Sequence, residues 1–194
     1  MRRSILIVAI LTSAVVVALV ACADSKSTSQ KVAAISPDSL IKRGEYLVTS
    51  IGCDDCHTPK KMGPQGPELD LDRRFSGHPS TEVLGKPDQS VFKNGYILFG
   101  MGLTTAVGPW GASYAANISS DTTGIGMWTE EQFFRAIRKG LSKGLEGNRP
   151  LLPPMPWFVY KNLNDDDLRS VFAYLKSTKP VKNVVPQPKG LKEL

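Results

Sequence analysis

The chain has 194 residues, of which 41% are hydrophobic and 22% charged, and its formal net charge is +6 at pH 7. This length fits one domain, and the mild charge, without a basic stripe interleaved with aromatic residues, argues against a nucleic-acid-binding protein. Only three cysteines are present, which excludes a small scaffold held together by disulfides.

The first 21 residues have the pattern of an export signal. Arg2 and Arg3 form a positive n-region, and an apolar run follows over residues 5–20. This run is shorter than the roughly 20 residues of a membrane span. Its ending, Leu-Val-Ala-Cys at Cys22, resembles a bacterial lipobox, in which the cysteine receives lipid and the preceding peptide is removed. We predict a lipoprotein signal peptide over residues 1–21, with an uncleaved anchor as the alternative.

Both alternatives export the chain and tether it to a membrane, so we expect an anchored protein on the periplasmic side of the cell envelope. Residues 22–37 are rich in Ser, Thr and Lys and are predicted to be a flexible tether. Without Arg2 and Arg3, 22 basic and 18 acidic side chains remain, a net charge of +4. This charge permits docking to an acidic partner or attraction to a membrane surface.

The folded domain is predicted to span residues 38–180 and to begin with a helix. Ser36 or Asp38 can cap the helix start, and Pro37 is tolerated in the first turn. Apolar or small residues then recur at spacings of three and four: Leu40, Ile41, Gly44, Leu47, Val48 and Ile51. The spacing predicts one buried helical face that leads directly into the next motif.

Residues 53–57 read Cys-Asp-Asp-Cys-His, which is the C-x-x-C-H signature of c-type haem attachment. Two thiols add across the haem vinyl groups, and the histidine gives its neutral imidazole to iron. A thioredoxin-like dithiol would need a preceding strand. A zinc site would need ligands in addition to the motif, and Cys22 and His78 are the only other cysteine and histidine in the sequence. We predict one covalent haem c bound by Cys53 and Cys56, with His57 as an axial iron ligand.

The stretch over residues 59–128 is rich in Gly and Pro and shows no sustained helical period. Such a long loop is unusual inside a compact domain, but a haem gives it a centre on which to pack. Asn94-Gly95 lies between two short apolar runs, which predicts the turn of a β-hairpin. His78, between a glycine and a proline, is predicted to be a surface loop residue.

Two more helices are predicted in the second half of the chain. Thr129 begins one with capping-box spacing, and Gly140 follows its last turn. Asn164 opens the other, three aspartates occupy its first turn, and Pro180 stops it. Residues 181–194 are predicted to be a C-terminal tail that is extended along the surface or frayed.

A c-type haem with histidine on one side usually takes methionine or histidine on the other. Met155 is the predicted second axial iron ligand, because the prolines on both sides fix φ and stiffen its segment. The alternative for Met155 is a core filler. The weaker candidates for the same position are Met62, Met101, Met127 and His78.

Several further side chains are candidates for the haem surroundings. Large amphipathic residues can bury a haem edge or donate to a propionate, with plain core packing as the alternative; they are Trp110, Trp128, Trp157 and Tyr160. Asn117 and Arg149 are candidate donors to a propionate.

Over residues 38–180 these features together resemble a class I c-type cytochrome, a mono-haem electron carrier. The resemblance is carried by the first helix with Gly44, the C-x-x-C-H motif, Met155 and the final helix. It implies an all-α fold, the class I cytochrome c fold, whose N- and C-terminal helices cross around haem. Gly44 would then meet Phe172 or Tyr174, and the Gly/Pro-rich stretch would be a long loop insertion.

Segments 116–121, 123–126, 128–133 and 135–140 are similar to the haem domains of bacterial dehydrogenase cytochrome subunits, which typically hold several haems. The resemblance implies an electron carrier rather than an enzyme, cycling between Fe(III) and Fe(II), with a dehydrogenase, a terminal oxidase or both as redox partners. Two alternatives stay open. One is a haem-containing subunit that anchors or serves a dehydrogenase, and the other is a haem enzyme or ligand binder with an open sixth position.

Overall fold

The structure, a computed structural model, describes residues 36–194. The predicted signal peptide, Cys22 and nearly all of the predicted tether lie outside these residues. Five α-helices, five short strands and four 3-10 helices occur in residues 36–194. In this part of the chain, no helix combines the length and apolar character that crossing a membrane requires.

The first and last α-helices make the main helical contact. Helix α1 (Pro37–Ser50) begins at Ser36, whose hydroxyl accepts a hydrogen bond from the Ser39 amide. Helix α5 (Asp165–Ser177) packs against it. A Cβ added at Gly44 would lie 1.9 Å from the Ser170 carbonyl oxygen and 2.6 Å from the Tyr174 Cβ. The predicted contact between Gly44 and Tyr174 is therefore confirmed, and only glycine allows this close approach.

Three other α-helices complete the helical part: α2 (Cys53–His57), α3 (Glu130–Lys139) and α4 (Trp157–Tyr160). Thr129 caps α3 by accepting from the Gln132 amide at 3.1 Å. The side chains of Phe133 and Phe172 stack with ring centroids 5.1 Å apart. The buried core consists of Leu47, Val48, Phe75, Ile125, Phe133, Ile137, Leu168, Val171, Phe172, Tyr174 and Leu175.

The prediction of an all-α fold is wrong, because two antiparallel sheets lie between α2 and α3. Strands β1 (Lys60–Gly63) and β2 (Gly66–Leu69) form a hairpin. Strands β3 (Leu98–Phe99), β4 (Thr105–Gly108) and β5 (Gly111–Tyr114) form a three-stranded sheet in that order. The predicted Gly/Pro-rich loop insertion therefore contains five strands. Its strands have two to four residues, too few to show a clear alternation of apolar and polar positions.

The hairpin predicted at Asn94-Gly95 is also wrong. Residues Gln89–Asn94 form a 3-10 helix, and Gly95, at φ 81°, ends it by donating its amide to the Phe92 carbonyl. A glycine in the left-handed region serves a helix end as well as a hairpin turn, so the dipeptide alone does not distinguish them.

The C-terminal tail runs extended and is fastened to the domain. Lys189 and Ala112 exchange two backbone hydrogen bonds, of 2.8 and 3.1 Å. The Asn183 amide donates to the carbonyls of Ser76 at 2.7 Å and His78 at 2.8 Å. Of the two alternatives given for this tail, the structure shows the extended one.

Candidate functional site

The C-x-x-C-H motif folds as the single turn of α2, directly after α1. Gly52, at φ 74°, separates the two helices. Residues three and four apart on a helix share a face, so Cys53 lies on the same face as Cys56 and His57. Both cysteines are unpaired and half-buried. The turn thus brings together the three motif residues that sequence analysis assigned to haem.

The ring of His57 is buried and held by one hydrogen bond, 2.7 Å long, between Nδ1 and the Ala116 carbonyl oxygen. A carbonyl only accepts, so Nδ1 carries the proton and Nε2 has the lone pair. Every fully buried side-chain nitrogen or oxygen in residues 36–194 has a hydrogen-bond partner. Nε2 has no hydrogen-bond partner within these residues, so none of them engages its lone pair. Burial lowers the pKa of His57, which favours the neutral ring that binds a metal.

The two thiols lie in surroundings that keep them neutral. Burial raises the pKa of Cys53 to about 12, and the charge of Asp54 acts in the same direction. Burial also raises the pKa of Cys56. Redox dithiols and thiolate metal ligands need a lowered thiol pKa, so these surroundings do not favour the thioredoxin-like alternative.

Asp54 is the buried carboxylate of the motif, and Arg74 binds both of its oxygens. Nε of Arg74 donates to Oδ1 at 2.9 Å and Nη2 to Oδ2 at 2.6 Å, while the Thr58 hydroxyl donates to Oδ1 at 2.7 Å. Burial alone would raise the pKa of Asp54, but the hydrogen bonds from Arg74 and Thr58 outweigh it and lower that pKa. Arg74 also donates to the Tyr174 hydroxyl at 2.9 Å. The pair therefore ties the motif turn to α5.

Met155 is half-buried and packs against the core cluster, as Cys53 also does. The other methionines in residues 36–194 are Met62, Met101 and Met127, with exposed fractions of 72%, 83% and 76%. Met155 is thus the methionine of the described chain that lies in apolar surroundings, which favours it over the others as a ligand to iron.

The segment that carries Met155 is joined to its neighbours by hydrogen bonds. The Ser113 hydroxyl donates to the Pro153 carbonyl at 2.6 Å, and the Leu151 amide donates to the Gly140 carbonyl at 2.7 Å. The Tyr160 hydroxyl donates at 2.9 Å to the carbonyl of Ile51, two residues before Cys53. The segment is therefore connected to the sheet, to the end of α3 and to the chain just before the motif.

The aromatic candidates contact protein groups. Trp128 and Tyr160 pack against the core cluster. The ring of Trp157 covers Gly140, where an added Cβ would lie 2.4 Å from it. Trp110 donates from Nε1 to the Ser113 hydroxyl at 3.3 Å. Trp128, Trp157 and Tyr160 are all half-buried, so each keeps part of its surface available.

His78 is buried, so its prediction as a surface loop residue is wrong. Nδ1 lies 2.9 Å from the Thr104 hydroxyl, Nε2 lies 3.4 Å from the Glu82 carbonyl, and the Tyr114 ring packs at 4.8 Å between centroids. The three-stranded sheet covers this side chain, which its glycine and proline neighbours did not indicate. With both nitrogens engaged, His78 is a poor candidate for iron.

The two candidate propionate donors differ. Asn117 is buried, donates from Nδ2 to the Thr123 hydroxyl and the Val181 carbonyl, and accepts at Oδ1 from the amide and hydroxyl of Ser119. Its hydrogen-bonding capacity is used within the fold. Arg149 is exposed and donates to the neighbouring Pro150 carbonyl, so its guanidinium retains donors for an anion.

Comparison with known proteins shows similarity to bacterial cytochrome subunits. No protein-family model matches the chain. It is 31% identical over 138 residues to the gluconate 2-dehydrogenase cytochrome c subunit of Pantoea cypripedii, covering 71% of this chain and 23% of that protein. It is 30% identical over 151 residues to the fructose dehydrogenase cytochrome subunit of Gluconobacter japonicus, covering 77% of this chain and 23% of that protein. It is 40% identical over 79 residues to a nicotinate dehydrogenase subunit of Pseudomonas putida, covering 40% of this chain and 6% of that protein.

The matches to the gluconate and fructose dehydrogenase proteins span most of this chain, but all three cover about a quarter or less of each relative. The gluconate and fructose dehydrogenase proteins are cytochrome subunits, which are electron carriers rather than catalytic subunits. This agrees with the prediction of an electron carrier rather than an enzyme. The chain is therefore a homologue of the cytochrome c subunits of bacterial dehydrogenases.

Proposed function

We propose that this chain is an electron-transfer protein that carries one covalent haem c. The observation that supports this most is the state of His57, whose Nδ1 donates to the Ala116 carbonyl while Nε2 has no hydrogen-bond partner in residues 36–194. Cys53 and Cys56 lie on the same helical turn as unpaired thiols. A bound haem supplies a one-electron exchange between Fe(III) and Fe(II). The two thiols hold its edge as thioethers, and His57 holds the iron.

Met155 is the proposed second axial ligand. It packs against the core, and its segment is held by the hydrogen bond from Ser113 to Pro153. A thioether favours Fe(II) and raises the reduction potential relative to two imidazoles. With protein ligands on both sides of the iron, a small molecule has no free position. This arrangement favours the carrier over a haem enzyme or ligand binder.

A dehydrogenase is the proposed electron donor, because the relatives are named as cytochrome subunits of dehydrogenases. Electrons would leave to a second redox protein, such as a terminal oxidase. Transient redox encounters of this kind use small interfaces. No substrate of the dehydrogenase is proposed, since the matched relatives are named as subunits of nicotinate, gluconate and fructose dehydrogenases.

The proposed location is the periplasmic side of the cell envelope, with the chain anchored by lipid on Cys22. The apolar run over residues 5–20 and the Leu-Val-Ala-Cys ending support this. Mass spectrometry of the chain extracted from the membrane fraction should find acyl groups on Cys22 and residues 1–21 removed. A membrane-bound chain that keeps residues 1–21 and has no acyl group on Cys22 would contradict the lipid anchor and favour the uncleaved anchor.

The proposed haem ligation is tested by the absorption spectrum of the full chain, purified from a host that matures c-type cytochromes. We expect a six-coordinate low-spin spectrum, with a methionine-to-iron charge-transfer band in the oxidised form and no rapid binding of CO in the reduced form. A high-spin protein that binds CO readily would contradict the carrier and favour an open sixth position.

A further inference from the structure

Lys60 is a half-buried ammonium group at the end of the motif turn. Its Nζ donates to the carbonyl oxygens of Thr58 at 2.8 Å and Asp54 at 3.2 Å, and also to that of Asp55. These carbonyls belong to α2 and its C-terminal cap. The last carbonyls of a helix lack partners inside the helix, and Lys60 supplies them with one.

The charge of Lys60 is not neutralised by a direct ion pair. Among residues 36–194, no carboxylate forms a salt bridge with it. The buried carboxylate of the motif turn, that of Asp54, is bound to Arg74. Burial lowers the pKa of Lys60, so the fold holds a cation here at some cost in desolvation. The haem chemistry proposed above does not use this group.

The contacts of Lys60 bear on the shape of the motif turn. Helix α2 has five residues, and a single helical turn is not stable through its own hydrogen bonds. The Lys60 ammonium hydrogen-bonds to three carbonyls of the turn and its cap, and these bonds hold the turn in one conformation. The side chains of Cys53, Cys56 and His57 are then held in one arrangement.

The charge of Lys60 also lies close to the proposed iron ligand. Its Nζ is 2.8 Å from the carbonyl oxygen of Thr58, the residue that follows His57. A positive charge held beside this turn disfavours further positive charge on an iron that His57 would bind. Fe(II) carries one positive charge less than Fe(III), so the charge of Lys60 favours the reduced state.

We propose that Lys60 is a positioning residue for the haem-bearing turn and that its charge raises the reduction potential of the bound haem. This inference rests on the proposed function. Within residues 36–194 the Lys60 ammonium donates hydrogen bonds to backbone carbonyls only, so it acts through the turn and through its charge.

The test compares the midpoint potentials of Lys60→Met, Lys60→Arg and Lys61→Met in the full haem-loaded chain. Lys61 is the matched control, because it is the next residue of β1 and is exposed. We expect Lys60→Met to shift the potential downward, with the Fe(II)/Fe(III) ratio at a fixed poise falling on the order of threefold to tenfold. The midpoint potential of Lys61→Met should stay close to that of the unchanged protein. Lys60→Arg keeps the positive charge, so its potential should also lie near that of the unchanged protein.

Equal potentials for Lys60→Met and Lys61→Met would overturn the inference, and so would a Lys60→Arg potential as low as that of Lys60→Met. If Lys60→Met does not accumulate with haem, Lys60→Gln replaces it, because glutamine keeps a hydrogen-bond donor but has no charge. A Lys60→Gln potential equal to that of the wild type overturns the inference. A wild-type chain without covalent haem would instead refute the proposed function. A purely structural role would change stability and leave the potential in place.

Discussion

The two proposed axial ligands are held in different ways. His57 lies on a turn that is cross-linked from several sides: Arg74 binds the Asp54 carboxylate, Lys60 binds the carbonyls, and the Gly77 amide donates to the His57 carbonyl at 2.8 Å. Its ring has a hydrogen bond of its own. The nitrogen ligand is therefore part of a network that reaches α5.

Met155 lies on a short proline-rich segment with fewer contacts. The Met155 amide donates to the Leu152 carbonyl at 3.3 Å, and Ser113 holds the Pro153 carbonyl. Under the proposed function, this difference would divide the roles. The His57 turn would carry haem attachment and stability, whereas the Met155 segment would adjust the spectrum and potential of an already assembled protein.

The largest expected effect comes from the thiols of the His57 turn. Replacing Cys53 and Cys56 together with serine should abolish the haem-loaded protein, because both covalent links are lost. Haem staining of the denatured protein is the measurement. Cys22→Ser is the matched control and should keep its haem. A double variant that retained stainable haem would contradict covalent attachment through these two cysteines.

The network around the His57 turn should contribute strongly to stability. Replacing Arg74 with methionine leaves the buried Asp54 carboxylate without its cation and with the Thr58 hydroxyl as its remaining side-chain donor, which should lower the free energy of unfolding by about 2–4 kcal/mol. Urea unfolding of the haem-loaded protein measures this. Arg73, which pairs with Asp70 at 2.7 Å on the surface, is the matched control, and its loss should cost at most about 1 kcal/mol. Similar losses for both variants would contradict the special role of the turn.

The ion pair between Asp54 and Arg74 makes the stability of the protein depend on pH. Because the folded-state pKa of Asp54 is lowered, its stabilisation is present above the ordinary aspartate value of about 3.9 and is lost as pH falls through the lowered pKa. The stability difference between the unchanged protein and Asp54→Asn should therefore be constant near neutral pH and shrink below about pH 4. Asp55→Asn, at an exposed position, should show no such change. A difference that grew in acid would have the wrong sign.

On the other side of the comparison, Met155→Ala should leave haem attached and the fold intact. The charge-transfer band should disappear and the reduction potential should fall, because a soft ligand that favours Fe(II) is lost. Met127→Ala, at a residue that is 76% exposed, is the matched control for removing a methionine. An unchanged band in Met155→Ala would assign the sixth position to another residue.

The smallest effect is expected where the Met155 segment meets the sheet. Ser113→Ala removes the donor to the Pro153 carbonyl, which should cost about 1 kcal/mol of stability and weaken the charge-transfer band. Ser142, whose hydroxyl forms no hydrogen bond within residues 36–194, gives a control variant, Ser142→Ala. If both variants have the same band intensity, the sheet does not position Met155.

Local signals in the sequence predicted a good part of this molecule. The helix starts at Ser36, Thr129 and Asn164 are capped by their own side chains, since a cap needs residues only two or three positions apart. The C-x-x-C-H turn is equally local. The close approach at Gly44 followed from the resemblance to class I cytochromes rather than from any local pattern.

The features that were missed depend on contacts distant in sequence. Asp54 and Arg74 are 20 positions apart, and nothing near either residue indicates the pairing. His78 is buried by Thr104 and Tyr114, which a tripeptide cannot show. The sheets were missed for a related reason, because strands of two to four residues gain their stability from partners rather than from their own pattern.

The most direct test of the central claim is the intact mass of the purified mature chain from a host that matures c-type cytochromes, measured beside the double variant without Cys53 and Cys56. The account predicts that the unchanged chain is heavier than the double variant by one haem, after the two substitutions are allowed for, since any lipid on Cys22 is common to both. A colourless unchanged chain whose mass differs from that of the double variant by the two substitutions alone would contradict it.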